Sequence, residues 1–311
     1  MKKTNIVLML FVAASFLFTF TSCNRRVYRT VTIAIDCNCT PQEQLVAYEV
    51  INRRIASVWN VRERTELVDG KFTITYSDYN YDYLLTRMLA KRGEIYVTEL
   101  FNPFRFNEEV ARVHRKLSWF IENYRPLHHT RTHFALIAAP PQHVSYVDSV
   151  FNQHKDYFVN SILTNIYFAW TAAPNNAGFY ELFALRAASR RFQPFSLNPN
   201  SVRACRLWEV EGVPQIDIDL NEGYHTTAWA RLTRDNIGRY LAIVMDNKVL
   251  MTPRVSNEIT SGKINITTPA LKKDNMFIPA LRRDDMFLIK SAILGGVLEC
   301  IARIIEIPNT Y

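Results

Sequence analysis

Glycine is scarce in this chain, with nine among 311 residues, and none of the nine falls into a G-x-G-x-x-G, P-loop or G-x-S-x-G arrangement. Glycine-rich phosphate loops and a strained serine nucleophile elbow are thereby excluded. Cysteine is also sparse, at five residues, too few and too scattered for a disulfide framework. Cys37-Asn38-Cys39 is not a C-x-x-C redox pair, and no second pair completes a zinc ribbon. Dense basic blocks are missing too, so the net charge of +8 does not mark a nucleic-acid surface. It reads as a solvated basic surface, with a long-range field that favours anionic headgroups or acidic clients as the other reading. After residue 23 no apolar run approaches the roughly 20 residues of a membrane span.

The start of the chain has what the rest lacks. Lys2 and Lys3 precede an uncharged run from Ile6 to Phe20, the build of a secretory signal peptide. Thr21-Ser22-Cys23 follows directly, as in a lipoprotein processing box, with Phe20 where an aliphatic residue is usual. The expectation is export from a bacterial cytoplasm and a lipid on Cys23. An uncleaved anchor retaining Met1 to Ser22 is the alternative.

Beyond Val31 the pattern becomes periodic. Val31, Ile33 and Ile35 alternate with Thr32 and Ala34 as in a half-buried strand. Thr40-Pro41-Gln42-Glu43 opens a helix with an N-cap, a proline at the first turn and a capping-box glutamate. Asp69-Gly70 predicts a hairpin, Tyr83 to Leu89 a second helix, and Glu94 to Leu100 a closing strand. The order is βαββαβ, a ferredoxin-like unit. Residues 101–200 carry repeated prolines and less regular spacing, with helices predicted over 108–124 and 144–160. Ile216, Ile218 and Leu220 then alternate with Asp217 and Asp219 as a strand. A helix over 222–233, a strand over 241–245 and a turn at Asp246-Asn247 follow. Pro269 to Ile278, PALKKDNMFI, is nearly repeated by Pro279 to Leu288, PALRRDDMFL. The duplication predicts a solvated loop before a final helix over 287–295.

The segment Ile216 to Thr267 carries Asn221-Glu222-Gly223, Trp229-Ala230, Thr233 to Gly238, Ala242 to Asp246 and Pro253 to Ile259 in order. In that order and spacing it resembles the head of the first periplasmic domain of SecD, particularly the fused SecDF proteins of Bacteroidota. Ile51-Asn52-Arg53-Arg54-Ile55 resembles the opening helix of that domain's base, and residues 289–307 its returning helix and strand. The resemblance implies an α+β fold with a ferredoxin-like base and a head. On this division, 1–23 are the leader with Cys23, 24–105 the base and 106–200 a variable connection. The head then spans 201–288, and 289–311 return to the base. It also implies a role in export, with unfolded or translocating polypeptides and SecYEG or SecDF as partners, on the periplasmic side of a membrane. The signature residues implied for the head are Gly223, Trp229, Thr233, Asn236, Gly238, Asp246, Pro253 and Glu258. The family's membrane helices, with their proton-coupling carboxylate, have no counterpart in residues 24–311, so the proton-driven cycle is not expected of this chain alone. Leu250-Met251-Thr252-Pro253 stands where the family has Tyr-Ser-Ala-Pro, and Thr268 where it has glycine.

Chemistry-bearing clusters are few. His129 and His133 stand four apart beside His128, short of a third ligand and crowded by Arg125 and Arg131; a polar loop is the reading, a zinc site the alternative. Asp217 and Asp219 share one strand face, a solvent-facing edge rather than an acid–base pair. Phe104, Phe106, Trp119, Trp170 and Phe179 are core, or else a surface for unfolded segments. No bridge is assigned among Cys37, Cys39, Cys205 and Cys300. No catalytic residue, metal, cofactor or nucleic acid is expected.

Overall fold

In a computed structural model of the chain, the described residues are 28–35, 38–59, 61–77, 82–113, 115–124, 134–154, 165–175, 177–190, 192–267, 270–273, 276–279 and 281–306. The leader with Cys23, together with Cys37, His128, His129 and His133, lies outside them. The first half runs β1 (Tyr28–Ile35), α1 (Pro41–Ala56), β2 (Val61–Arg64), β3 (Lys71–Ser77), α2 (Asp82–Leu89), β4 (Ile95–Glu99), α3 (Pro103–Val113) and α4 (Arg115–Asn123). It continues through β5 (Ile137–Ala139), α5 (Val144–Gln153), β6 (Ile166–Thr171), β7 (Tyr180–Arg186) and β8 (Phe195–Ser196). The second half has β9 (Val202–Val210), β10 (Val213–Leu220), α6 (Tyr224–Asp235), β11 (Leu241–Met245), β12 (Lys248–Met251) and β13 (Lys263–Thr267). It closes with β14 (Ala270–Lys273), β15 (Met276–Pro279), α7 (Arg283–Gly295) and β16 (Ala302–Glu306). The class is α+β, as expected.

The local signals of the first unit do their work. Thr40 caps α1, its Oγ1 accepting from Glu43 N at 3.3 Å while Thr40 N donates to Glu43 Oε2 at 2.7 Å. Asp69 and Gly70 both take positive φ, 49° and 70°, as a two-residue hairpin turn requires. Asp246-Asn247 makes the same turn at 48° and 60°.

The sheet of this unit is closed differently from the expectation. Its order is β16-β1-β3-β2, so the strand beside β1 comes from the C-terminal end, with Ile33 opposite Ile304 and Ile35 opposite Ala302. β4, read as the closing strand, keeps its place in the βαββαβ order but pairs with β11 and β8 instead. The reason is apolar on both sides: Ile95 and Val97 are buried with Ile216, Trp229 and Ile243 in the core of the second half. β16, which takes the place beside β1, is also tethered to the unit by a disulfide. That bridge joins Cys39, just before α1, to Cys300, just before β16, with 6.5 Å between the Cα atoms.

A seven-stranded sheet, β5-β7-β6-β12-β11-β4-β8, joins strands from residues 137–186 to strands from 241–251 and so crosses the boundary read at residue 200. All its pairings are antiparallel except β12 with β6. β6 and β7 were not read from the sequence. β7 is buried at five consecutive positions, and a strand covered on both faces shows no alternation.

A three-stranded sheet, β13-β10-β9, lies over α7. Met286, Ile289, Ala292 and Ile293 of α7 enter its core, whereas Leu288 enters the core of the first unit. α7 is thus apolar on two sides because it is shared by two cores. The duplicated decapeptide is not a loop. Its first copy folds into the β14–β15 hairpin, and the final helix begins inside the second copy, at Arg283 rather than Phe287.

Candidate functional site

The expected head residues gather around α6 and act mainly on the backbone. Thr233, fully buried, donates from Oγ1 to Trp229 O and Ala230 O, each at 3.0 Å, and accepts from Ile259 N at 2.9 Å. This one hydroxyl stitches the last turn of α6 to the segment after β12. Asn236 ends the helix, its Nδ2 donating to Leu232 O at 3.0 Å and Glu99 Oε1 at 3.2 Å. Gly238 follows at φ 79° and donates its N–H to Val255 O at 2.8 Å. Pro253 O accepts from Leu241 N at 3.1 Å, and Asp246 exchanges main-chain and side-chain bonds with Glu94, both near 3 Å. Gly223 is the N-cap of α6 at φ 79°. Trp229 is buried against Phe195, and its indole N–H has no partner among the described residues. Glu258 is exposed, and its side chain takes no part in these bonds. Seven of the eight residues therefore specify how the chain folds back on α6, not a pocket.

Asp217 and Asp219 lie on the middle strand of the three-stranded sheet, so they occupy an outward face and not a sheet edge. Asp217 Oδ1 accepts from Asn265 Nδ2 at 2.6 Å, and Asp219 Oδ2 pairs with Arg206 at 3.1 Å. Both carboxylates are thus engaged by neighbouring strands. Among the described residues no cluster of three or more His, Cys, Asp or Glu is arranged to hold a metal ion.

The head's open backbone lies at β9 and β13, each bonded on one side only among the described residues. Exposed apolar side chains accompany it: Trp208 and Val210 at the end of β9, and Tyr224, 79% exposed, at the start of α6. Of the aromatics read as core or binding surface, Phe106 and Trp170 are buried while Trp119, 67% exposed, and Phe179 face solvent. The side chain of Phe104 lies outside the described set.

Sequence reasoning missed the group that joins the base to the rest. Arg54, 1% exposed, has no carboxylate within bonding distance and spends its guanidinium on main-chain carbonyls. Nη1 donates to Met88 O and Lys91 O at 3.0 and 2.7 Å, and Nη2 to Arg92 O and Gly296 O at 2.5 and 2.7 Å. Nε donates to Gly296 O at 3.1 Å. The cation thus caps the C-terminal ends of α2 and α7 together. Burial lowers its pKa to about 10, with the Asp246 charge acting the other way. A side chain on Gly93 or Gly295 would strike this guanidinium or its stem, which explains glycine at both. The signal was an arginine on the apolar side of α1, flanked by Ile51 and Ile55. At the far end of β4, Glu99 Oε2 pairs with Arg186 at 2.6 Å, tying β4 to β7.

Residues 205–274 match the family model of the SecDF P1 head subdomain. Among curated proteins, the protein translocase subunit SecD of Leptotrichia buccalis is 42% identical over 57 residues, which is 18% of this chain and 14% of that protein. SecD of Rhodothermus marinus is 46% identical over 55 residues, 17% of this chain and 8% of that protein. The match therefore spans only a small fraction of the length of those relatives. A solved structure described as a membrane component SecDF that enhances protein export aligns with 90% of this chain and all of that chain, at 15% identity and a TM-score of 0.45. The crystal structure of SecDF in the super-membrane-facing form aligns with 90% of this chain and 30% of that one, at a TM-score of 0.46. The chain thus carries a segment similar to a SecDF head. No helix among its described residues is long and apolar enough to cross a membrane.

Proposed function

We propose that this chain is an exported, non-catalytic lipoprotein, held to a bacterial membrane through Cys23 and facing the periplasm, which binds polypeptides during or after export and assists the Sec machinery. The observation that carries this reading is the head match over residues 205–274. Exposed strand edges at β9 and β13, with Trp208, Val210 and Tyr224 beside them, supply main-chain bonding and apolar contact for an unfolded segment. The decisive experiment is affinity purification of the lipidated protein from its own membranes after in-cell crosslinking. Recovery of Sec components or exported precursors is the expected result, and recovery of neither would sink the reading. Metabolic labelling with palmitate, lost in Cys23→Ser, checks the anchor.

A second reading keeps the fold and drops the export role, leaving a binding or scaffold lipoprotein. It is favoured by Leu250-Met251-Thr252 standing where the family has Tyr-Ser-Ala. An aggregation assay in which the protein fails to protect unfolded clients would favour it over the first.

A further inference from the structure

A cleft of about 630 Å³ opens in the base, between one flank of α1 (Tyr48, Glu49, Asn52, Arg53, Ala56) and Arg64 at the end of β2 with Glu66 just beyond it. Within it Tyr48 Oη donates to Thr65 O at 3.1 Å, bridging helix and strand. Asn52 lines this cleft, is only 8% exposed, and its carboxamide has no hydrogen-bond partner among the described residues. Its amide atoms are therefore open to the cleft rather than sealed in the core, and the donor and acceptor are held ready on a side chain that is otherwise packed away.

Three further features define that ligand. β2 ends the sheet β16-β1-β3-β2, and nothing among the described residues pairs with its outer side. Thr65 donates its N–H to Thr73 O at 2.9 Å, so by strand alternation the N–H and C=O of Arg64 point outward at the open edge. The lining charges balance: Arg53, held by Gly295 O at 3.2 Å and 3.8 Å from Glu49, and Arg64 and Glu66, neither of which forms an ion pair among the described residues. A free anion would meet two carboxylates, and a free cation two guanidinium groups. A polypeptide main chain is neutral and dipolar, and each peptide unit offers one donor and one acceptor. That is the complement of an asparagine carboxamide on one wall and an open strand edge on the other. Leu45, exposed one helical turn before Glu49 on the same flank, adds an apolar contact for a side chain.

We infer that this cleft takes an extended polypeptide segment as a fifth strand on β2, its main chain paired by Arg64 and by the Asn52 carboxamide. The inference rests on the polypeptide-binding reading above and adds to the head a second contact, independent of side-chain sequence. The probe is reduced, carboxymethylated α-lactalbumin, a permanently unfolded chain, titrated by fluorescence anisotropy against the full-length lipidated protein in detergent. Asn52→Leu removes the carboxamide, and Arg64→Pro removes the outward N–H at an edge position where proline is tolerated. Each is expected to weaken binding at least tenfold, and a photo-crosslinker replacing Glu66 is expected to capture the probe. Phosphate at constant ionic strength is expected to leave affinity unchanged; competition would mark an anion site and overturn the inference. If Arg64→Pro loses its native circular dichroism, Asn52→Leu and the crosslink decide alone. Unchanged affinity in folded variants, with the wild type binding, overturns the inference and leaves the head reading standing. No binding by the wild type overturns both.

Discussion

Base and head are held together at very different distances along the chain. The base depends on the Cys39–Cys300 bridge, 261 positions apart, on Arg54 reaching Gly296, 242 positions away, and on β16 returning to β1. In the head, Thr233 binds the Ile259 amide 26 positions on, and Gly238 binds the nearby Val255. The family match falls on residues 205–274, where these two closures are short, although Asn236 also reaches Glu99 and Asp246 reaches Glu94, 137 and 152 positions away. Short closures tie specific residue types to specific spacings, so they leave a readable motif. Long closures need only a carbonyl, a cysteine or an apolar strand somewhere later, and leave almost none. The base also loses more from a single cut, because each closure removes a large loop's freedom at once.

That contrast can be broken at Arg54 first. Arg54→Met takes the guanidinium donor from Met88 O, Lys91 O and Gly296 O, while Arg92 O keeps the Leu298 N–H, and the expected loss exceeds about 3 kcal/mol. Urea denaturation followed by tryptophan fluorescence measures it; a loss below about 1 kcal/mol would show the cation to be incidental. Cys300→Ser comes next, with an expected cost of about 2–5 kcal/mol for opening so long a loop. Amide exchange should quicken in β1 and β16 while β10 and β11 stay protected. Equal loss in both regions would erase the distinction between base and head.

Thr233→Val tests the head alone. It strands the half-buried Ile259 N–H, for about 1 kcal/mol, and the exchange pattern should reverse, loosening the 253–259 segment and sparing β1. The smallest effect is at Cys205, a buried residue of β9 in the three-stranded sheet. Burial pushes its thiol up to about 12 from an ordinary 9. The folded chain therefore holds a proton that the unfolded chain releases, and this contribution to stability is full below pH 9 and falls as pH rises toward 12. Comparing alkaline melting of the wild type with Cys205→Ala isolates it, and a steeper alkaline loss in the variant would contradict the sign. Native Cys205 should also resist iodoacetamide at pH 8 and react after unfolding.

The two decapeptide copies show how much of the structure stands in the sequence once the right residue is weighed. After Asp274-Asn275-Met276-Phe277-Ile278 comes Pro279, which has no N–H for a helical bond and pushes Ile278 toward an extended conformation. After Asp284-Asp285-Met286-Phe287-Leu288 comes Ile289-Lys290-Ser291-Ala292, and the helix runs on. In the candidate sites, the head signature was legible because Thr233, Asn236 and Gly238 each answer a local backbone demand. The cleft at Asn52 was not, because nothing in α1 reveals that the strand beside it ends a sheet.

Sequence alone determined the pieces whose energetics close within a few residues: the Thr40–Glu43 cap, the Asp69-Gly70 and Asp246-Asn247 turns, the alternation of β1 and β10, and the signature around α6. Tertiary structure decided which strand pairs with β1, which cysteine meets Cys39, and that Arg54 is buried on carbonyls rather than exposed in solvent. The reason is one of alternatives. β4 and β16 are both short strands with apolar residues to bury, and only the whole core, by burying Ile95 and Val97 under the head and Ala302 in the base, makes the choice.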